Sequence, residues 1–125
     1  MIDLHTHTLF SDGALVPSEL VRRAVMKGYE AIAITDHADA SNLDFTIPRV
    51  AAACRELNSR WKITALPGIE LTHLPPDTFA ELAERARSLG AGSWSLTARR
   101  SWSPCIRALT GRRLKPGLTS SLTPD

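Results

Sequence analysis

No stretch of this 125-residue chain stays apolar for the roughly 18 residues a membrane-spanning helix requires, so no membrane span is expected. Met1-Ile2-Asp3 lacks the basic and then apolar segments of a secretory signal. Cysteine is scarce: Cys54 and Cys105 lie far apart and form no C-x-x-C pair, which excludes a disulfide scaffold and fits a reducing cytoplasm. Acidic residues nearly vanish from the last third of the chain. Up to Gly90 there are nine basic and twelve acidic residues, a net of −3; beyond it there are six basic and one, Asp125, acidic, a net of +5. What is present, a hydrophobic fraction of 43%, suits one soluble domain with a single core.

From Met1 to Gly90 the pattern predicts three strand-loop-helix units. Ile2 to Leu4 reads as a first strand, and Pro17 to Lys27 as a helix with Pro17 in its first turn, Glu19 at its positive end and Gly28 as its stop. Leu20, Val21, Ala24 and Val25 supply the apolar stripe of that helix. Ala31-Ile32-Ala33-Ile34 is a short continuous apolar run of the kind buried parallel strands show. A second helix is expected from about Pro48 to Arg60, with Val50, Ala51, Cys54 and Leu57 facing inward. The third strand runs from Lys62 to about Leu66. Pro75-Pro76-Asp77 opens a third helix with Phe79, Leu82, Ala83, Ala86 and Leu89 as its stripe, ended by Gly90. Strands alternating with helices imply an α/β fold with parallel pairing through right-handed crossovers.

In such folds the loops at the carboxyl ends of the strands lie on one side and hold the active site. All four histidines of the chain, His5, His7, His37 and His73, fall just after predicted strands. His5 and His7 are one residue apart at a strand end, so both project to one face while Thr6 points away; two surface histidines are the alternative. His5, His37 and Glu70 are 32 and 33 residues apart, about one β-α unit each, and therefore converge. With Asp12 and Glu70 the set becomes a nitrogen and carboxylate cluster without thiolate, suited to zinc, manganese or iron. His73 reads equally as a plain loop histidine.

His5-Thr6-His7 with Ser11-Asp12-Gly13, then Ile34-Thr35-Asp36-His37, then Gly68-Ile69-Glu70, together resemble the PHP family, named for polymerase and histidinol phosphatase domains. The resemblance covers Met1 to about Gly90 and lies nearest the histidinol-phosphatase-like phosphoesterase branch. It implies the first three β-α units of a distorted barrel of seven, with up to three divalent metal ions at the carboxyl ends of the strands. His5 and His7 would hold the first metal, Glu70 would bridge it to a second as the catalytic ligand, and Asp12 and His37 would hold the third. Asp36 is implied to support the strand end in preference to ligating. Such a cluster neutralises phosphate oxygens and acidifies a metal-bound water for attack on the phosphorus of a small phosphorylated substrate.

The family's later ligands are missing from Ala91 to Asp125, which has no helix or strand period and reads as a basic, low-structure tail. The genetic code suggests why. Read from the third base of each codon, with G or C at most free third positions, Ser95 to Asp125 encodes a strand ending in His-Gly-Glu, a loop with a further histidine, an alanine-rich helix stopped by glycine, and a strand ending in Ala-His-Pro-Gly. A frameshift near Ala91 to Trp94 is therefore expected to have replaced the rest of the domain. This chain would then bind metal weakly, be poorly stable and show little or no catalysis. Two other readings compete with hydrolysis: a nucleic-acid-associated module using the six basic residues of the tail, and a non-catalytic metal-binding fragment.

Overall fold

The computed structural model describes residues 1–95. Four strands, β1 (Ile2–Thr6), β2 (Ala31–Ile34), β3 (Thr64–Glu70) and β4 (Ser93–Ser95), form one sheet in sequence order, with every neighbouring pair parallel. Parallel neighbours cannot be joined by a tight turn. Each crossover is accordingly a helix: α1 (Pro17–Met26), α2 (Leu43–Arg60) and α3 (Phe79–Ser88), the last entered through a 3-10 turn at Pro76–Thr78. The end strands β1 and β4 approach one another, so the sheet curls as a barrel does. No helix among the described residues is long and apolar enough to cross a membrane.

The helix stripes expected from the sequence are the faces buried. Val21 and Ala24 of α1 and Val50, Cys54 and Leu57 of α2 pack with Ile32, Ile34 and Ala65 of the sheet. Leu82, Ala83 and Ala86 of α3 join Leu43, Ile47 and Ile69 in a second cluster. Gly28 and Gly90, at φ +78° and +106°, end α1 and α3 in the left-handed conformation that glycine adopts without a Cβ clash.

Strand β1 continues past Leu4 to Thr6, and β3 runs from Thr64 to Glu70 where Lys62 to about Leu66 was expected, so His5 and Glu70 lie within strands. Two further elements differ from the sequence expectation. Helix α2 begins at Leu43 instead of Pro48, so the proline lies inside it. An interior proline costs about 3 kcal/mol through its missing N–H and its clash with the preceding turn. The longer helix buries Leu43 and Ile47 completely, and each such side chain contributes roughly 1.5–3 kcal/mol, which offsets that cost. The second difference is β4, in a segment where no strand was expected: Gly68, Ile69 and Glu70 pair with Ser93, Trp94 and Ser95. Ala91, just before it, is buried in the second cluster. The six basic residues and Cys105 of the tail lie outside the described residues.

Burial pushes the Cys54 thiol up to about 11 from 9.0. The fold holds the neutral thiol, so this contribution to stability is present in full below pH 9 and is lost as pH rises through about 11. Cys54 is expected to resist alkylation at pH 8 in the native chain and to react fully in denaturant, with peptide mapping separating it from Cys105. Equal rates of labelling in both states would contradict this burial.

Candidate metal centre

The carboxyl ends of the first three strands meet because the chain pairs them in register there. Thr35 N donates to Thr6 O (2.7 Å), Glu70 N to Asp36 O (3.0 Å) and Ala38 N to Glu70 O (3.1 Å). His37 and Glu70 therefore face each other across an isolated parallel bridge. Thr6 turns away as strand alternation requires, its hydroxyl donating to Ala33 O at 2.6 Å. His5 and His7, on either side of it, bring their Nε2 atoms within 3.1 Å.

Glu70 is the floor of the site. Its side chain is 4% exposed, and Oε2 lies 2.8 Å from His7 Nε2, 3.2 Å from His5 Nε2 and 3.5 Å from His37 Nδ1. Yet Oε2 accepts no hydrogen bond from the described residues. On the outer side, His7 Nδ1 lies 2.5 Å from Asp12 Oδ1, and His37 Nε2 lies 3.4 Å from Asp12 Oδ2. The hydrogen bond with His7 holds the Asp12 carboxyl below the usual carboxylate range.

A neutral imidazole carries one proton, so if His7 Nδ1 donates to Asp12 its Nε2 presents a lone pair. That lone pair confronts Glu70 Oε2, itself an acceptor, and the ring nitrogen of His5. Acceptors converging in a buried corner with too few protons between them are unfavourable unless a cation lies among them. The donor atoms of His5, His7 and Glu70 form one group within 4.8 Å of one another, and those of His7, Asp12 and His37 form a second. The residues fit a divalent ion with nitrogen and oxygen ligands. His7 belongs to both groups, which the sequence had assigned to the first alone.

Asp36, fully buried, accepts three hydrogen bonds: Thr8 N (2.6 Å) and Ser11 Oγ (2.6 Å) on Oδ1, and Thr8 Oγ1 (2.7 Å) on Oδ2. It ties the loop carrying His7 and Asp12 to the end of β2. Sequence reasoning named Asp36 but gave no role to Ser11, quoted only within its motif, and passed over Thr8 and Thr72, whose Oγ1 lies 3.2 Å from His37 Nδ1. The hydroxyls interleaved with the ligands were the available signal. His73 stands apart, exposed at φ +56° and in neither ligand group.

Gly13 closes that loop, its N–H donating to Thr8 O at 2.9 Å. A Cβ there would lie 2.3 Å from His7 O and 2.7 Å from Thr8 N, both backbone atoms. Gly13→Ala is therefore expected to displace the His7 backbone, destabilising the chain by about 1–3 kcal/mol and lowering metal affinity. Thermal unfolding with and without added metal measures both; an alanine variant matching the parent in both would contradict this close approach.

The PHP domain family matches residues 3–89, more than half of the chain. Over 90 residues, 71% of this chain and 41% of the relative, the sequence is 51% identical to an uncharacterized protein of Methanocaldococcus jannaschii. It is 39% identical over 71 residues to the 5'-3' exoribonuclease Rnm of Escherichia coli, covering 56% of this chain and 22% of that enzyme. A 28% identity over 120 residues links it to the phosphoribosyl 1,2-cyclic phosphate 1,2-diphosphodiesterase of Eggerthella lenta, covering 96% of this chain and 39% of the enzyme. The chain thus spans less than half the length of each of these relatives. The match over the three strand-end motifs and the helices between them establishes that this chain belongs to the PHP domain family.

Proposed function

We propose that this chain carries the N-terminal ligand set of a metal-dependent phosphoester hydrolase acting on a small phosphorylated substrate, of histidinol-phosphatase-like type. The observation that carries the reading is the buried Glu70 Oε2, without a hydrogen bond among the described residues and within 3.5 Å of three histidine nitrogens. Two of the relatives are named for cleaving phosphoester bonds, which supports hydrolysis as the reaction class.

His5, His7 and Glu70 would hold one ion, and Asp12 and His37, with His7 beside them, another; zinc, manganese and iron all suit these donors. A bound divalent ion supplies positive charge against phosphate oxygens and acidifies water. The residues themselves set the direction of approach: Glu70 closes the floor, while Asp12, His5 and His37 are 64%, 47% and 39% exposed and line the open side. No lysine or arginine occurs in the strand-end segments 7–16, 35–42 and 71–75, so these loops add no positive charge of their own.

The test compares this chain with one continued in the shifted frame from Ser95. The continued chain is expected to hydrolyse an aryl phosphate with added Mn²⁺ and to stop on chelation, while the present chain binds metal with little or no turnover. Metal-independent hydrolysis, or equal turnover by both chains at verified intact mass, would contradict the reading. The coding DNA checks the tail separately: an open frame continuing past the codon for Asp125 is expected, and third bases incompatible with the shifted reading would end the frameshift explanation.

A further inference from the structure

A groove of about 220 Å³ opens beside the ligands, lined by His37, Ala38, Asp39, Ser41, Asn42 and Thr72. Its wall is built before any ligand arrives. Asp39 N donates to Asn42 Oδ1 (2.9 Å), Ser41 N to Asp39 Oδ1 (2.8 Å), and Leu43 N, at the start of α2, to Asp39 O (3.1 Å). These bonds use one oxygen of Asp39 and the oxygen of the Asn42 amide. Asp39 Oδ2 and the Asn42 amide N–H groups have no protein partner among the described residues. Thr72 Oγ1 sits on His37 Nδ1 and contributes a hydroxyl to the same wall.

The chemistry of this wall is selective. An acceptor, an amide donor and a hydroxyl side by side match groups that donate and accept at once, which sugar hydroxyls do. Among the described residues no lysine or arginine lines the groove, and the one ionisable group there besides His37 is the carboxylate of Asp39, which repels a second anion. At about 30 Å³ per water, the volume is that of about seven waters, which suits one sugar ring.

We propose that this groove receives the uncharged, hydroxyl-bearing ring of a sugar monophosphate whose phosphate lies at the metal centre, and that it discriminates against a second phosphate. This rests on the reading of the centre as a metal-dependent phosphate site.

Titration calorimetry on the 125-residue chain with Mn²⁺ tests it, using inorganic phosphate, ribose 5-phosphate and ribose 1,5-bisphosphate. The ribose monophosphate is expected to bind about tenfold tighter than phosphate, and the bisphosphate no tighter than phosphate. Asn42→Asp keeps the acceptor for Asp39 N–H but loses the amide donor, and should reduce the sugar advantage to within about threefold; its added charge weakens phosphate and ribose 5-phosphate alike, so their ratio is the readout. Asp39→Asn keeps the acceptor for Ser41 and should bring the bisphosphate up to the monophosphate. Equal binding of phosphate and ribose 5-phosphate by the parent chain, or tighter binding of the bisphosphate, would overturn the proposal and leave the metal centre standing. Absence of Mn²⁺-dependent phosphate binding would overturn both.

Discussion

Glu70→Gln is expected to weaken divalent-metal affinity by about 100-fold or more and, in the metal-free chain, to raise thermal stability. Outer partners of metal ligands are each worth roughly 10–100-fold in affinity, so loss of the central anionic ligand should reach at least the top of that range. The opposite sign without metal follows from Oε2, buried with no hydrogen bond among the described residues. Removing the charge relieves a desolvation penalty on the order of 1 kcal/mol, and glutamine keeps the shape. Thermal unfolding in chelator and in excess Mn²⁺ separates the two effects. A variant that loses stability in chelator and keeps its metal-induced shift would show that Glu70 is a structural carboxylate.

Asp36→Ala should be the most damaging single change outside the ligands. It removes the acceptor for three hydrogen bonds and leaves Thr8, itself fully buried, with an N–H and a hydroxyl proton unpaired, though the hydroxyl oxygen still accepts from Phe10 N. Unsatisfied buried groups cost about 1–3 kcal/mol each, so a loss of about 3 kcal/mol or more is expected, a large part of a small domain's stability. Metal affinity should fall with it, because the loop between His7 and Asp12 loses its anchor to β2. Asp36→Asn keeps acceptor capacity and should be milder in both respects. Denaturant unfolding and metal titration of the two variants check this, and an alanine variant as stable as the parent would refute the anchoring role.

Much of the site was legible because ligand spacing and strand spacing coincide. His5, His37 and Glu70 recur once per β-α unit, and parallel pairing turns that recurrence into proximity at the His37–Glu70 bridge. The alternation that separates His5 and His7 from Thr6 was equally readable. Its geometry was not: the β1–β2 register slips between Asp3 and Thr6, a local irregularity of the kind that re-aims side chains and leaves no mark in composition. The role of Gly13 was hidden because it depends on the His7 backbone, a contact made only after the loop closes.

The start of α2 was misplaced for a related reason. Pro48 is a good first-turn residue, but burial of Leu43 and Ile47 against the third unit outweighs local preference, and that burial exists only once α3 has docked. Likewise β4 is three residues long, too short to carry a period, and gains its place by pairing with the end of β3. The α/β class and the three-unit plan required only periodicity; the exceptions required tertiary contacts.

The central claim is that His5, His7, Asp12, His37 and Glu70 form one divalent-metal centre. Equilibrium dialysis of the purified chain against saturating Zn²⁺ or Mn²⁺, with metal counted on both sides of the membrane, tests it most directly. At least one ion per chain is expected, lost in Glu70→Gln and His7→Ala and retained in His73→Ala. No bound ion in the parent chain, or loss of metal in His73→Ala with retention in His7→Ala, would contradict it.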